Sequence, residues 1–159
     1  MIKITLIALA SLKEKYLREA VGEYVKRLGA YCNLKIIELD PVRLPEKPSE
    51  SEINSALSRE AELIAKKIPA GDLVVPLCIE GKQLSSEEFA GALRGELNIG
   101  RGITFIIGSS FGLSEDIKRR ADLKLSFSKM TFPHQLFRVM LLEQLYRAFK
   151  ICSGGAYHK

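Results

Sequence analysis

Apolar residues in this chain fall into two patterns: short continuous runs, and stretches where they recur every three or four positions. Residues 3–10 are β-branched and Leu-rich on both faces, which predicts a central parallel strand. Leu12, Tyr16, Leu17, Ala20, Val21, Tyr24, Val25 and Leu28 then follow helical spacing, with Gly29 as the stop. Residues 34–39 predict a second strand, and residues 40–48, with three prolines, a loop. Ser49 and Glu52 have capping-box spacing and open a helix that buries Ile53, Ala56, Leu57, Ala61, Ile64 and Ile68. Residues 69–71 break it.

Residues 73–79 predict a third strand. Pro76 inside it argues for an edge position or a bulge. Residues 80–82 read as a turn. Ser85 and Glu88 form a second capping box, leading a helix through Phe89, Ala92, Leu93 and Leu97. Residues 103–107 are the fourth strand. Ser114, followed by Glu115 and Asp116, starts a short helix ending near Arg120. Residues 123–125 are a minimal fifth strand. A long helix then runs from Pro133 to about Cys152, apolar on nearly all its faces. A helix of that kind is buried on more than one side, which in a small chain predicts a two-fold subunit interface. Five alternations of strand and helix predict an α/β fold with a mainly parallel sheet sandwiched by helices.

Composition adds that the chain, 159 residues with 47% apolar and 27% charged, suits one domain spanning residues 1–159. Cys32, Cys78 and Cys152 lack CxxC spacing, and their odd number without a secretory signal predicts a reduced, cytoplasmic protein. Residues 2–10 are too short for a membrane span. Residues 1–100 carry 14 Lys/Arg against 15 Asp/Glu, a net of −1, while residues 101–159 carry 10 against 4, a net of +6. The last third therefore suits an anionic partner, RNA first; ordinary solubility charge accounts for it equally well.

Two stretches carry the candidate chemistry. Residues 104–112 are a buried run ending in a glycine-bracketed turn, Gly108 to Gly112. Residues 125–134 are a polar loop leading into the last helix. Two such loops at strand ends are how α/β proteins build a small-molecule pocket. No GxGxxG or GxxxxGK[ST] spacing is present, so the turn suits a flat ligand rather than phosphates; on spacing alone a simple tight turn is the plainer reading. Arg138 and Arg147 interrupt the apolar last helix and need a carboxylate, a phosphate or a partner chain. Residues 154–159 are short but carry Tyr157, His158 and Lys159. His134 and His158 have no metal-ligand spacing, and no nucleophile-elbow motif occurs.

At residues 107–113, 125–135, 143–150 and 156–159, and also at 12–16 and 24–28, the chain closely resembles the RlmH-type family. These are SPOUT-class methyltransferases acting on pseudouridine in large-subunit ribosomal RNA. Ser109 stands where that family usually has a second glycine. The resemblance implies a C-terminal trefoil knot, a homodimer whose sites are each completed by the other subunit, and bound S-adenosylmethionine without a metal. It implies cofactor contacts at Leu77, Gly108, Phe127, Ser128, Lys129, Met130, Thr131 and Phe132. The implied substrate is N(3) of a pseudouridine in the assembled ribosome. Candidates for the chemistry are Arg147 or Arg138 for developing charge, and His158, beside Tyr157, for the proton. Two other classes compete. A non-catalytic ribosome-binding module of the same fold would be favoured by Ser109. A nucleotide-dependent oxidoreductase or hydrolase is opposed by the missing phosphate motifs.

Overall fold

The computed structural model describes residues 1–155. In chain order its elements are β1 (Ile2–Ala8), α1 (Lys15–Leu28), β2 (Cys32–Glu38), α2 (Glu50–Ala65), β3 (Leu73–Gln83), α3 (Ser86–Ile99), β4 (Ile103–Ile107), α4 (Glu115–Arg119), β5 (Leu125–Ser126) and α5 (His134–Cys152). The five strands form one parallel sheet in the order β2-β1-β4-β3-β5. The sheet reverses direction of growth between β1 and β4, because the chain places β2 on one side of β1 and then crosses to build β3 and β5 on the other.

Alternation along the strands explains why both faces read as apolar. Ile4, Leu6, Ile103, Phe105 and Val75 face one cluster, shared with α1, α3 and α5. Ile7, Ile106 and Val74 face the other, shared with Ala61 and Ile64 of α2 and Ile117 of α4. Successive strand side chains point to opposite sides, so a strand covered by helices on both must be apolar throughout. Leu141, Leu142 and Leu145 of α5 have no exposure. Burying each of them stabilises the fold by about 1.5–3 kcal/mol. The two capping boxes are formed: Ser49 accepts from the Glu52 N–H and Ser85 from the Glu88 N–H, while each glutamate accepts from its cap's N–H in return.

Three expectations are corrected. Residues 80–82 are not a turn but continue β3, whose pairing with β5 shifts register between Leu77 and Lys82. Gly81 is required there because a Cβ would lie 2.7 Å from the Leu125 backbone. Of the two readings of Pro76, the edge is overturned, since β3 lies between β4 and β5, while an irregularity does follow it, in the register shift between Leu77 and Lys82. Pairing with β4 ends at Pro76 and pairing with β5 begins at Leu77, so the residue that lacks an N–H sits where the strand changes partner. The fifth strand is Leu125–Ser126, displaced from 123–125, because Asp122 and Leu123 instead donate their backbone N–H groups to the Val74 carbonyl.

Candidate functional site

At the carboxyl ends of β3, β4 and β5 lies a cavity of about 740 Å³. Its first wall is the turn after β4. The Gly112 N–H donates to the Ser109 carbonyl at 2.9 Å, and Gly112 takes a left-handed conformation at φ +81°. A Cβ on Gly108 would lie 2.4 Å from the Gly112 oxygen. Gly108 is therefore demanded by the turn closing on itself, before any ligand is considered. Its second wall is the loop leaving β5. The Ser126 hydroxyl donates to the Ser128 carbonyl, and the Met130 N–H donates to the Ser128 hydroxyl, both at 3.0 Å, which folds the loop back locally. Phe137, from the first turns of α5, packs against both Phe127 and Phe132 with ring centroids 5.6 Å apart.

Of the eight residues expected to contact a cofactor, Leu77, Gly108, Phe127, Ser128, Thr131 and Phe132 line this cavity. Lys129 and Met130 lie on the same loop but are exposed and are not among the lining residues. Phe111 and His134, which lie inside the two candidate stretches, also line it, whereas sequence reasoning missed Phe137, Glu80 and Lys118. Phe137 looked like one more apolar position on a helix, and residues 80–82 looked like a turn far from any site. Glu80 and Lys118 form an ion pair at the cavity wall. Lys118's hydrogen bond holds the Glu80 carboxyl below its usual value. Burial works against the charge on Lys118 and is outweighed by the Glu80 and Glu115 carboxylates, which raise its pKa.

His134 begins α5, half-buried at the cavity wall. Burial, with Arg138 and Lys13 nearby, pushes its pKa below the ordinary 6.5. A group depressed in the folded state is neutral there while the unfolded chain is already protonated. Its contribution to stability is thus complete above pH 6.5 and is lost as the pH falls below that value. Denaturant titrations of wild type and His134→Asn across pH 7.5–5 are expected to show a wild-type decline of at most about 1.4 kcal/mol per pH unit from this group, flattened in the variant. Parallel curves would remove His134 as the cause.

The arginines lie elsewhere. Arg138 is 2% exposed. It donates to Glu38 Oε1 at 2.7 Å and to the Ala10 carbonyl at 2.6 Å, anchoring α5 to the ends of β1 and β2. Arg147 donates from Nε and Nη2 to Glu143 Oε1, at 3.2 and 2.8 Å. Glu143 borders a second hollow of about 280 Å³, with Phe89 and Met140, that shares Leu125, Ser126 and Phe127 with the main cavity. Neither arginine lines the main cavity. Tyr157 and His158 lie outside the described residues. Among the described residues, no group of His, Cys, Asp and Glu could hold a metal ion, and no helix is long and apolar enough to cross a membrane. The cysteines are free; burial pushes the Cys32 thiol up to about 11, which suits a packed hydrophobe rather than a nucleophile.

Aromatic faces, hydroxyls and one ion pair surround a hollow at parallel strand ends of an α/β protein, the place where such folds commonly hold small organic molecules. Residues 2–158 match the family described as "Predicted SPOUT methyltransferase". The chain is 54% identical over 159 residues to the Ribosomal RNA large subunit methyltransferase H of Clostridium acetobutylicum, covering 98% of this chain and 99% of that one. The protein of the same name from Leuconostoc mesenteroides is 50% identical over 157 residues, with the same coverages. A solved structure, a probable methyltransferase from Bordetella pertussis, shares the fold at TM-score 0.54 and 12% identity, over 92% of this chain and 93% of that one. The chain belongs to the SPOUT methyltransferase family, in the group formed by the ribosomal RNA large subunit methyltransferase H proteins.

Proposed function

We propose that this protein transfers a methyl group from S-adenosylmethionine to N(3) of a pseudouridine in large-subunit ribosomal RNA of the assembled ribosome. The observation that carries the reading is the cavity between residues 108–112 and 126–133, in a chain about half identical, end to end, to proteins named ribosomal RNA large subunit methyltransferase H. The residues present fit the cofactor. About 740 Å³ lies within the range of small-molecule sites, roughly 300–1,000 Å³. Phe127, Phe132 and Phe137 offer flat faces, and Ser126 and Ser128 offer polar partners. The Glu80–Lys118 pair complements the ammonium and carboxylate of an amino-acid end.

When bound, S-adenosylmethionine supplies an already activated methyl group. The chain's residues have to align the target nitrogen with it and exclude water. The target imide must also lose a proton. We assign its acceptance to His158, beside Tyr157, and stabilisation of the resulting charge to the Arg147 guanidinium. Arg138, engaged by Glu38 and the Ala10 carbonyl, holds α5 in place instead of touching the base.

Arg147 faces Glu143 in its own protomer. We therefore place it at the cavity of a second copy, in a two-fold dimer. Leu136, Val139 and Met140 support this, since they leave apolar surface on α5 after the core is filled. Light scattering at micromolar concentration should find a dimer; a species of 17.7 kDa alone would refute it. The proposal includes a single SPOUT domain over residues 1–159, a trefoil knot in its C-terminal part, which an experimental chain trace would test, and a cytoplasmic location. The test of function has two parts. Calorimetry should show S-adenosylmethionine binding to purified protein without added metal. Mass spectrometry of ribosomal RNA from a deletion strain should show one methyl group missing from a large-subunit pseudouridine. An unchanged RNA would reject the reading.

The net +6 of residues 101–159 further predicts ribosome binding that weakens with salt. Salt-insensitive binding would reject the electrostatic account.

A further inference from the structure

Glu60 is the most deeply buried carboxylate in the described structure, at 4% exposure, yet it forms no ion pair. It lies on α2, against the back of the turn that walls the cofactor cavity. The Ser109 hydroxyl donates to Glu60 Oε1 at 2.9 Å and to Oε2 at 3.2 Å. The Val42 backbone N–H also faces the carboxylate. Val42 belongs to the proline-bounded loop between β2 and α2, so one side chain of α2 meets two loops far apart in sequence. Around it is a separate apolar hollow of about 200 Å³ lined by Leu9, Leu44, Ile53 and Leu57, which shares Ser109, Ser110, Phe111 and His134 with the main cavity.

A buried carboxylate is costly unless charged or polar donors satisfy it. Burial pushes the Glu60 pKa up, while the Ser109 hydroxyl and the Val42 N–H hold it down. A glycine at position 109 could not supply that hydroxyl. The residue thus costs the fold something and returns a fixed position for the turn. An apolar residue at 60 would pack the hollow more cheaply but would leave Ser109 unanchored.

We propose that Glu60 is a positioning residue for the cofactor turn: its carboxylate holds Ser109, and through it residues 108–112, in the shape the cofactor meets. The link to the cofactor rests on the function proposed above; the clamp itself does not. Glu60 touches neither cofactor nor RNA and acts only through Ser109.

The test uses Glu60→Ala, Glu60→Gln, Ser109→Ala and the Glu60→Ala/Ser109→Ala double variant of the full chain, each shown folded by circular dichroism. The first readout is amide hydrogen exchange in the ligand-free protein. Exchange should quicken in residues 108–112 for Glu60→Ala and Ser109→Ala, and stay near wild type in Glu60→Gln, whose amide oxygen still accepts. The second readout is S-adenosylmethionine affinity by calorimetry. Each disrupting variant should weaken it about tenfold, and the double variant should be little worse than either single, because the two residues form one interaction. The Michaelis constant for the cofactor should rise in step, with the turnover number at saturation nearly unchanged. Unchanged exchange at 108–112 overturns the clamp. Quickened exchange with wild-type affinity overturns its role toward the cofactor. Failure of Glu60→Gln to restore exchange while keeping its melting temperature also overturns it. A wild-type protein that binds no S-adenosylmethionine would sink the functional reading, while exchange would still decide whether the clamp exists.

Discussion

Gly108→Val should abolish measurable S-adenosylmethionine binding and lower the melting temperature. An added Cβ would stand 2.4 Å from the Gly112 oxygen, 2.6 Å from its carbonyl carbon and 3.0 Å from Leu113 Cγ. The first two are backbone atoms, so no side-chain rotation relieves the contact, and the turn has to open. Overpacking of this kind typically costs about 1–3 kcal/mol of stability. A ligand wall displaced by an ångström loses on the order of 10²-fold in function. Gly22→Ala is the control, since a Cβ there meets nothing within 4 Å. Calorimetry and thermal melts of the two variants make the comparison. Wild-type affinity in Gly108→Val would place the cofactor outside this cavity.

Arg147→Ala should leave cofactor affinity near wild type and slow methyl transfer by on the order of 10²–10³, the usual loss when one charge-stabilising contact is removed. Arg147 bonds Glu143 one helical turn away, with the two side chains 29% and 20% exposed, so its removal breaks a largely buried ion pair within α5. Deletion of residues 157–159 should behave similarly, because it removes His158, our proton acceptor, together with Tyr157 and Lys159. Single-turnover methylation of ribosomes by each protein, with cofactor affinity measured alongside, separates the outcomes. Full activity in the truncated protein would take those residues out of the site. Lost cofactor affinity in Arg147→Ala would move that residue from chemistry to binding.

The candidate site was partly legible because its two loops follow strong local signals. An apolar run ending at Gly108 and a hydroxyl-rich stretch ending at Pro133 can each be read within ten residues of sequence. Phe137 and Glu80 were not legible. Phe137 obeys the helical period like any core residue, and only the path of the loop before α5 brings Phe127 and Phe132 against it. Glu80 sits beside a glycine that looks like a turn signal, and only the approach of β5 shows that Gly81 serves strand contact. Arg138 was conspicuous as a charge on an apolar helix. Its partner Glu38, 100 positions away, was invisible to any local pattern.

The chain by itself determined its alternating strands and helices, both capping boxes, the parallel character of the sheet and the location of the two loops. Those follow from side-chain period, cap chemistry and backbone restriction, all of which act over a few residues. Only the tertiary structure decided the strand order β2-β1-β4-β3-β5, the change of partner at Pro76, the closure of the cavity by Phe137 and the clamp of Glu60 on Ser109. Each of these depends on which distant segments share one core, and a period along the chain carries no record of that choice.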